Sequence, residues 1–244
     1  MNVSGGRGAI IAAMNPTTGH DAPLLLASAS PRRRRLLAML GAPYEITSVD
    51  TPEDLDSPLK GVPPVLARSI AAEKALAARA EADEHTTVLA FDTIVVADRR
   101  ILGKPADLDD AFAMLRLLSG RTHDVITGVA FQLPGMLEPR TFAVTTPVLM
   151  RELSEDDMRA WADKGELLGC AGAYNIESHL ASVEADQCFH NVTGMPLCHL
   201  YRALVRDGYS GLTSPVAACD AARCTTCELG PRVTRVAPAI PAPR

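Results

Sequence analysis

Leu24-Leu25-Leu26-Ala27-Ser28-Ala29-Ser30-Pro31-Arg32-Arg33-Arg34-Arg35 is the stretch on which the fold turns. Four apolar residues in a row fit a short buried strand. Ser30 then serves as a helix N-cap, and Pro31 as a first helical residue whose missing N–H costs nothing. The helix is expected to cover Leu36, Leu37 and Leu40 and to stop at Gly41. Arginines fill its first turns, where the helix dipole disfavours cations by some tenths of a kcal/mol each. That placement makes sense if an anion binds there. Free backbone N–H groups, two serine hydroxyls and guanidinium forks would receive it. Arg32 and Arg33 are the residues expected to do so, with Ser28 and Ser30, while Arg34 and Arg35 read as a solvated basic face.

Outward from this stretch, a strand is expected near residues 44–49, followed by an acidic, Pro-containing loop over 50–58. A long Ala-rich helix follows over 62–80, with Val65, Leu66, Ser69, Ile70, Leu76 and Ala77 on one arc. Glu73 falls in the middle of that arc and Lys74 at its edge, so the two either form a buried network or line a polar cleft. A strand over 87–97, a turn at Asp98-Arg99-Arg100 and a return at Ile101-Leu102 come next. A helix over 107–118 precedes two strands, 124–132 and 141–150, expected to pair antiparallel. Ser154 starts another helix with acids in its first turn, and a last one spans about 196–205. Strands and helices interleave without strict alternation. The fold class is therefore mixed α/β, a mixed central sheet flanked by helices.

With 244 residues, 47% of them hydrophobic, the chain can bury a sizeable core, and with only 4% aromatics that core must be aliphatic. A net charge of −5 argues against a dedicated nucleic-acid binder. No apolar run reaches the roughly 20 residues that span a membrane. Six scattered cysteines do not make a disulfide scaffold, so a cytoplasmic location is expected. Residues 1–22 read as a flexible extension, 23–208 as the folded domain, and 209–244 as a Cys-containing, Pro-rich, partly disordered tail.

Asp92 closes the apolar run Val88-Leu89-Ala90-Phe91. A carboxylate there is costly unless paired, metal-bound or facing a cleft. Its candidate roles are metal ligand and general base for water, against a plain turn residue. Gly103-Lys104-Pro105 holds an ammonium between two backbone-shaping residues, suited to phosphate or simply to a turn. The small residues of Gly169-Cys170-Ala171-Gly172-Ala173 allow a flat ring to approach the backbone, and Glu177 follows. His123, His179, His190 and His199 lack metal-ligand spacing. Cys219-x4-Cys224-x2-Cys227, with Cys198 or His199, leaves open a zinc site or free thiols.

Taken in order, Ser-x-Ser-Pro-Arg-Arg at 28–33, Glu-Lys-Ala at 73–75, Asp-Thr-Ile-Val at 92–95 and Gly-Lys-Pro at 103–105 form a specific set. Leu-Ser-Gly at 118–120 with His123, Thr127-Gly128, Ala-Gly-Ala-Tyr at 171–174, and Asn191-Val192 before Gly194-Met195-Pro196-Leu197 complete it. The set resembles the Maf family over about residues 24–207. That resemblance implies a two-lobed, inosine-triphosphate-pyrophosphatase-like fold with a nucleotide cleft. It also implies hydrolysis of a nucleoside triphosphate to the monophosphate and pyrophosphate, Mg²⁺ or Mn²⁺ dependence, and often a homodimer. By the resemblance, Asp92 is the proton acceptor and a metal ligand. Arg32, Thr93 and Glu177 fall at specificity positions, and Arg33, Lys74 and Lys104 face phosphate. The branch acting on dTTP and UTP usually has Gln where Glu177 stands, whereas a carboxylate suits a donor-rich edge such as 7-methylguanine. Thr51 replaces a usual acid, for which Glu53 or Asp54 could substitute, and Cys170 replaces a common lysine. A regulator of septum formation with little catalysis is the alternative from another class.

Overall fold

The computed structural model describes residues 22–223 and 225–235. The extension expected at the N-terminus, save Ala22, and the last nine residues of the tail lie outside the described residues. β1 (Leu24–Ala27) runs through Ser28-Ala29-Ser30 into α1 (Pro31–Ala38), with the Ser30 hydroxyl capping the Arg33 N–H at 3.4 Å. Then come β2 (Tyr44–Thr47), α2 (Pro63–Glu81), β3 (Thr87–Ala97), β4 (Arg100–Leu102), α3 (Leu108–Leu118), β5 (Thr122–Gln132) and β6 (Arg140–Met150). The chain continues through α4 (Glu155–Ala162), β7 (Ala181–Ser182), α5 (Phe189–Val192), α6 (Leu197–Arg206), α7 (Val216–Arg223) and α8 (Leu229–Val233). Between α4 and β7 lie short 3-10 turns.

The strands form one mixed sheet in the order β2-β1-β3-β5-β6-β7. β1 lies parallel to β2 and β3, and the pairs β3–β5, β5–β6 and β6–β7 are antiparallel. One edge of β3 is shared by two short strands. β1 pairs with its first part, from Thr87 to Ala90, and β4 with its last, from Val95 to Ala97. Residues 91–94 have no strand neighbour on that edge, so a gap opens where β1 ends and α1 begins. A ligand crevice is expected at the carboxyl end of such a parallel strand.

Side chains alternate across a strand. On one face, Leu89 and Phe91 of β3 join Val129 and Phe131 of β5, α1 and α6 in a first core. Further along the same strands Val95, Ala97 and Val125 join Val148, Leu115 and Trp161 in a second core. Between the two cores sit Thr93 and Thr127, directly opposite in register. The lobes implied by the resemblance are thus two cores built on one sheet with a polar seam between them.

The other face carries α2, and here the sequence expectation about its buried arc is corrected. The residues facing the sheet are Leu66, Ala67, Ile70, Ala71, Ala75 and Ala78, whereas Leu76 is 42% exposed and Glu73 is exposed. Lys74 lies in the middle of the buried arc. The reason is close approach: a Cβ on Gly128 would lie 2.1 Å from the Ala67 carbonyl oxygen. Only small residues let a helix come so near a strand, and hydrophobicity alone weights larger side chains instead.

The first part of the tail is ordered. Tyr209 belongs to the first core, the Thr213 N–H donates to the Leu40 carbonyl at 2.8 Å, and α7 and α8 bury Cys219, Cys227 and Val233. Cys170, Cys188, Cys198, Cys219 and Cys227 are all buried free thiols. Cys224 lies outside the described residues. Among those described, no group of three or more His, Cys, Asp or Glu could hold a metal ion, and the zinc alternative, which includes Cys224, falls in part outside them. No described helix is long and apolar enough to cross a membrane.

Candidate active site

A cleft of about 740 Å³ opens at the gap beside β3. Its lining includes Ser28, Ser30, Arg32, Arg33, Glu53, Lys74, Asp92, Thr93, Lys104 and Glu177, whereas Glu73 and Asp54, also considered from the sequence, do not line it. β3 presents Asp92 and Thr93 to opposite faces, and the gap lets both reach the same space.

Asp92 is on the α2 face, opposite Gly128. It is 4% exposed, and its Oδ1 accepts from Lys74 Nζ at 2.8 Å. Its Oδ2 is buried and has no hydrogen-bond partner among the described residues. Lys74 also donates to Glu53 Oε1 at 2.8 Å, and Lys104 reaches that same oxygen at 3.4 Å. Burial works to raise the Glu53 carboxyl, but hydrogen bonding and charge from Lys74, then Lys104, hold it below its ordinary value. The four side chains form a ladder of alternating charge, Asp92–Lys74–Glu53–Lys104. Lys74 stands about two helical turns from Ala67 on the same arc, so the close helix–sheet contact at Gly128 sets its height over Asp92.

Arg33 works on the other face. Its Nε donates to the Gly194 carbonyl (2.9 Å), Nη1 to Ser28 Oγ (3.2 Å) and Nη2 to Thr93 Oγ1 (3.1 Å), and its guanidinium lies 5.6 Å from the Phe91 ring centre. Burial pushes its pKa down to about 10, against the attraction of Asp92 and Glu53, so it is still a cation at neutral pH. Behind it, Thr93 and Thr127 hydroxyls are 3.0 Å apart, and Thr127 donates to the Asn191 carbonyl at 2.9 Å. Asn191 in turn donates to Val125 O and Thr146 Oγ1. The motif residues Thr127 and Asn191 therefore brace Arg33 without lining the cleft. Gly194 sits at φ +100°, a backbone that L side chains rarely adopt, and a Cβ there would press on Arg33 Nε at 3.3 Å.

The serines have structural work already: Ser28 Oγ accepts from Arg33 and from the Ser30 N–H, and Ser30 Oγ caps α1. Their hydroxyl protons remain free to point into the cleft. Arg32 is held loosely, with Nη2 3.5 Å from the Gly169 carbonyl. His123 and His190 are buried, and burial pushes each down to about 4. His123 Nε2 meets the Tyr174 hydroxyl at 2.7 Å, a structural pairing under the cleft wall.

Several lining residues were not expected from the sequence, among them Glu166, Asn175 and Arg35. Arg35, read there as solvated, lines the cleft and pairs with Glu177 Oε2 at 2.8 Å. A run of four arginines carries a weak clue, since on a helix residues 32 and 35 share a side. The partner, 142 positions away, leaves no local trace.

Residues 23–206 match the family described as Maf-like protein. The dTTP/UTP pyrophosphatase of Syntrophomonas wolfei subsp. wolfei is 42% identical over 188 residues, covering 75% of this chain and 96% of its own. The dTTP/UTP pyrophosphatase of Chlorobium chlorochromatii is 38% identical over 190 residues, covering 75% and 94%. The Staphylococcus aureus Ham1 protein matches 52% of this chain and 71% of its own at 15% identity, with a TM-score of 0.38, too slight a likeness to build on.

Proposed function

The chain belongs to the Maf family, and from that premise we propose that its cleft hydrolyses a nucleoside triphosphate, dTTP or UTP foremost, to the monophosphate and pyrophosphate. The observation that carries this reading is Asp92: a buried carboxylate with one oxygen held by Lys74 and the other unpartnered, at the gap beside β3. An acceptor in that state suits a base that takes a proton from water. Lys74, paired with it at 2.8 Å, offsets the cost of burying the carboxylate's charge.

The triphosphate would lie along Arg33, Lys74 and Lys104, with the Ser28 and Ser30 hydroxyls and Arg32 beside it. Water deprotonated by Asp92 attacks the α-phosphorus, the bond from that phosphorus to the bridging oxygen breaks, and pyrophosphate leaves. The fixed cations meet charge building on the leaving group without first reorganising, which is where such sites gain most of their rate. A divalent cation, Mg²⁺ or Mn²⁺, fits these residues, because Asp92 Oδ2 and the Glu53 carboxylate are hard oxygen donors. Two carboxylates suffice for Mg²⁺ when substrate phosphate oxygens complete its shell, which suits a chain with Thr51 in place of an acid. Bound there, the cation would neutralise phosphate charge. A homodimer and a cytoplasmic location belong to the same proposal.

The test is pyrophosphate release from a panel of nucleoside triphosphates with Mg²⁺ or Mn²⁺, wild type beside Asp92→Asn. Turnover of one or two nucleotides, lost in the variant, is the expected result. No release above the variant with any nucleotide would overturn the enzyme reading and leave a nucleotide-binding regulator.

A further inference from the structure

In the seam between the two cores, the acceptors alone dictate where the protons lie. The Asn191 carbonyl can only accept, so the 2.9 Å contact from Thr127 Oγ1 spends that hydroxyl's single proton. Thr93 and Thr127 hydroxyls are 3.0 Å apart, and on distance either could donate. With the Thr127 proton spent, Thr93 must be the donor. Thr93 Oγ1 in turn accepts from Arg33 Nη2 at 3.1 Å. The direction is fixed along the whole line: Arg33 to Thr93, Thr93 to Thr127, Thr127 to Asn191. Thr93 lines the cleft, yet it has no proton left for a substrate.

The line closes on itself. The Asn191 carbonyl also accepts the Gly194 N–H at 2.9 Å, and the Gly194 carbonyl accepts Arg33 Nε at 2.9 Å. Nη2 and Nε are thus the two ends of one ring of hydrogen bonds through Thr93, Thr127, Asn191 and Gly194. The far side of the ring is anchored. Asn191 Nδ2 donates to Val125 O at 3.0 Å and to Thr146 Oγ1 at 3.1 Å, and Thr146 donates to the Cys188 carbonyl at 3.2 Å. Thr127, Thr146 and Asn191 are wholly buried, so no water replaces a lost partner cheaply.

A guanidinium is planar, and holding Nε and Nη2 fixes its plane. One N–H on each terminal nitrogen of Arg33 then has no hydrogen-bond partner among the described residues. Resting on the pyrophosphatase reading, these are the donors that meet phosphate oxygens. We propose that Thr127, which does not line the cleft, is a positioning residue for the hydrolysis: through Thr93 it sets the rotation of the Arg33 guanidinium, and so the aim of those two N–H groups. Without the Thr127 hydroxyl, the Thr93 proton has no acceptor behind it and turns toward Arg33 or the cleft. Nη2 then loses the lone pair that held it. Gly194 and Ser28 still keep Arg33 in place, but its aim is lost.

The experiment is pyrophosphate release with Mg²⁺ from the nucleotide that wild type turns over fastest. The proteins are wild type, Thr127→Val, Thr127→Ser, Arg33→Lys and Arg33→Lys with Thr127→Val, and the thermal unfolding midpoint of each is measured as well. Valine keeps the shape of threonine without the hydroxyl. Thr127→Val is expected to lower kcat roughly tenfold and to change KM less than about threefold, because the loss falls on charge that builds after binding. Serine keeps the hydroxyl and gives up a buried methyl. Thr127→Ser is expected to hold kcat within about twofold of wild type, even where its unfolding midpoint drops. In Arg33→Lys no guanidinium remains to be aimed, so adding Thr127→Val is expected to alter kcat less than about twofold. Losses of kcat that simply follow the unfolding midpoints in both Thr127 variants would overturn the positioning role. So would an undiminished tenfold loss in the Arg33→Lys background. If wild type releases no pyrophosphate from any nucleotide, the pyrophosphatase reading fails instead. Calorimetric binding of inorganic tripolyphosphate to the same five proteins then decides the role of Thr127. Weakening by Thr127→Val only where Arg33 is present supports it, and equal weakening or none in both backgrounds overturns it.

Discussion

The two ends of the cleft are built in opposite ways. At the Asp92 end, Asp92 and Lys74 rise from β3 and from a helix packed closely on the sheet and pair with little exposure, while Glu53 and the more exposed Lys104 join them from loops. At the Glu177 end, the carboxylate sits on a 3-10 turn, its partner on the first helix, and both face solvent. Chemistry needs groups held to within fractions of an ångström, and a close-packed sheet supplies that rigidity. An exposed pair on a turn has no such rigidity and contributes little to folding.

If that contrast is right, damage should be steep at one end and shallow at the other. Asp92→Asn is expected to lower kcat by about a thousandfold or more, measured as pyrophosphate release at saturating substrate. Lys74→Met leaves Asp92 buried and unpaired, which should cost about 3 kcal/mol in denaturant unfolding as well as activity. A Lys74→Met protein as stable as wild type would break the contrast, because the ladder of charges would then be mere decoration.

Acid should reach the two ends in a set order. His123 and His190, down at about 4 in the fold, lie at ordinary values near 6.5 in the unfolded chain. Between those pH values the unfolded state binds more protons, so stability is full above about pH 6.5 and falls as pH drops toward 4. The loss by pH 5.5 should be about 1 kcal/mol for each histidine. The Glu53 carboxyl is held below its ordinary value, so its contribution persists until pH falls further. Thermal unfolding followed from pH 7.5 to 5 should therefore weaken by way of the histidines first. His123→Asn should flatten that slope only in part, because His190 and His199, also pushed down by burial, still take up protons on unfolding. Smallest of all, Arg35→Ala should change unfolding free energy by less than about 0.5 kcal/mol.

The same contrast explains what could be read from the chain. A carboxylate ending four apolar residues is costly wherever it folds, so Asp92 announced itself. The strand carrying it, its turn at Asp98-Arg99 and the antiparallel pair after α3 all follow from alternation and turn chemistry. The face of α2 did not, because alanines that pack against a glycine across a tight gap carry almost no hydrophobic weight. Nor did Arg35, whose meaning depends on a partner far away in sequence. Ser28 and Ser30 were legible as part of the site, but not the capping and bracing that occupy their oxygens.

Ala67 and Gly128 also bear on how this sequence can change over time. Their contact leaves no volume to spare, and the height of Lys74 over Asp92 depends on it. A methyl group gained at position 128 would have to lift the whole helix, carrying the lysine with it. A saturation library would therefore find position 128 among its most intolerant sites, although Gly128 does not line the cleft.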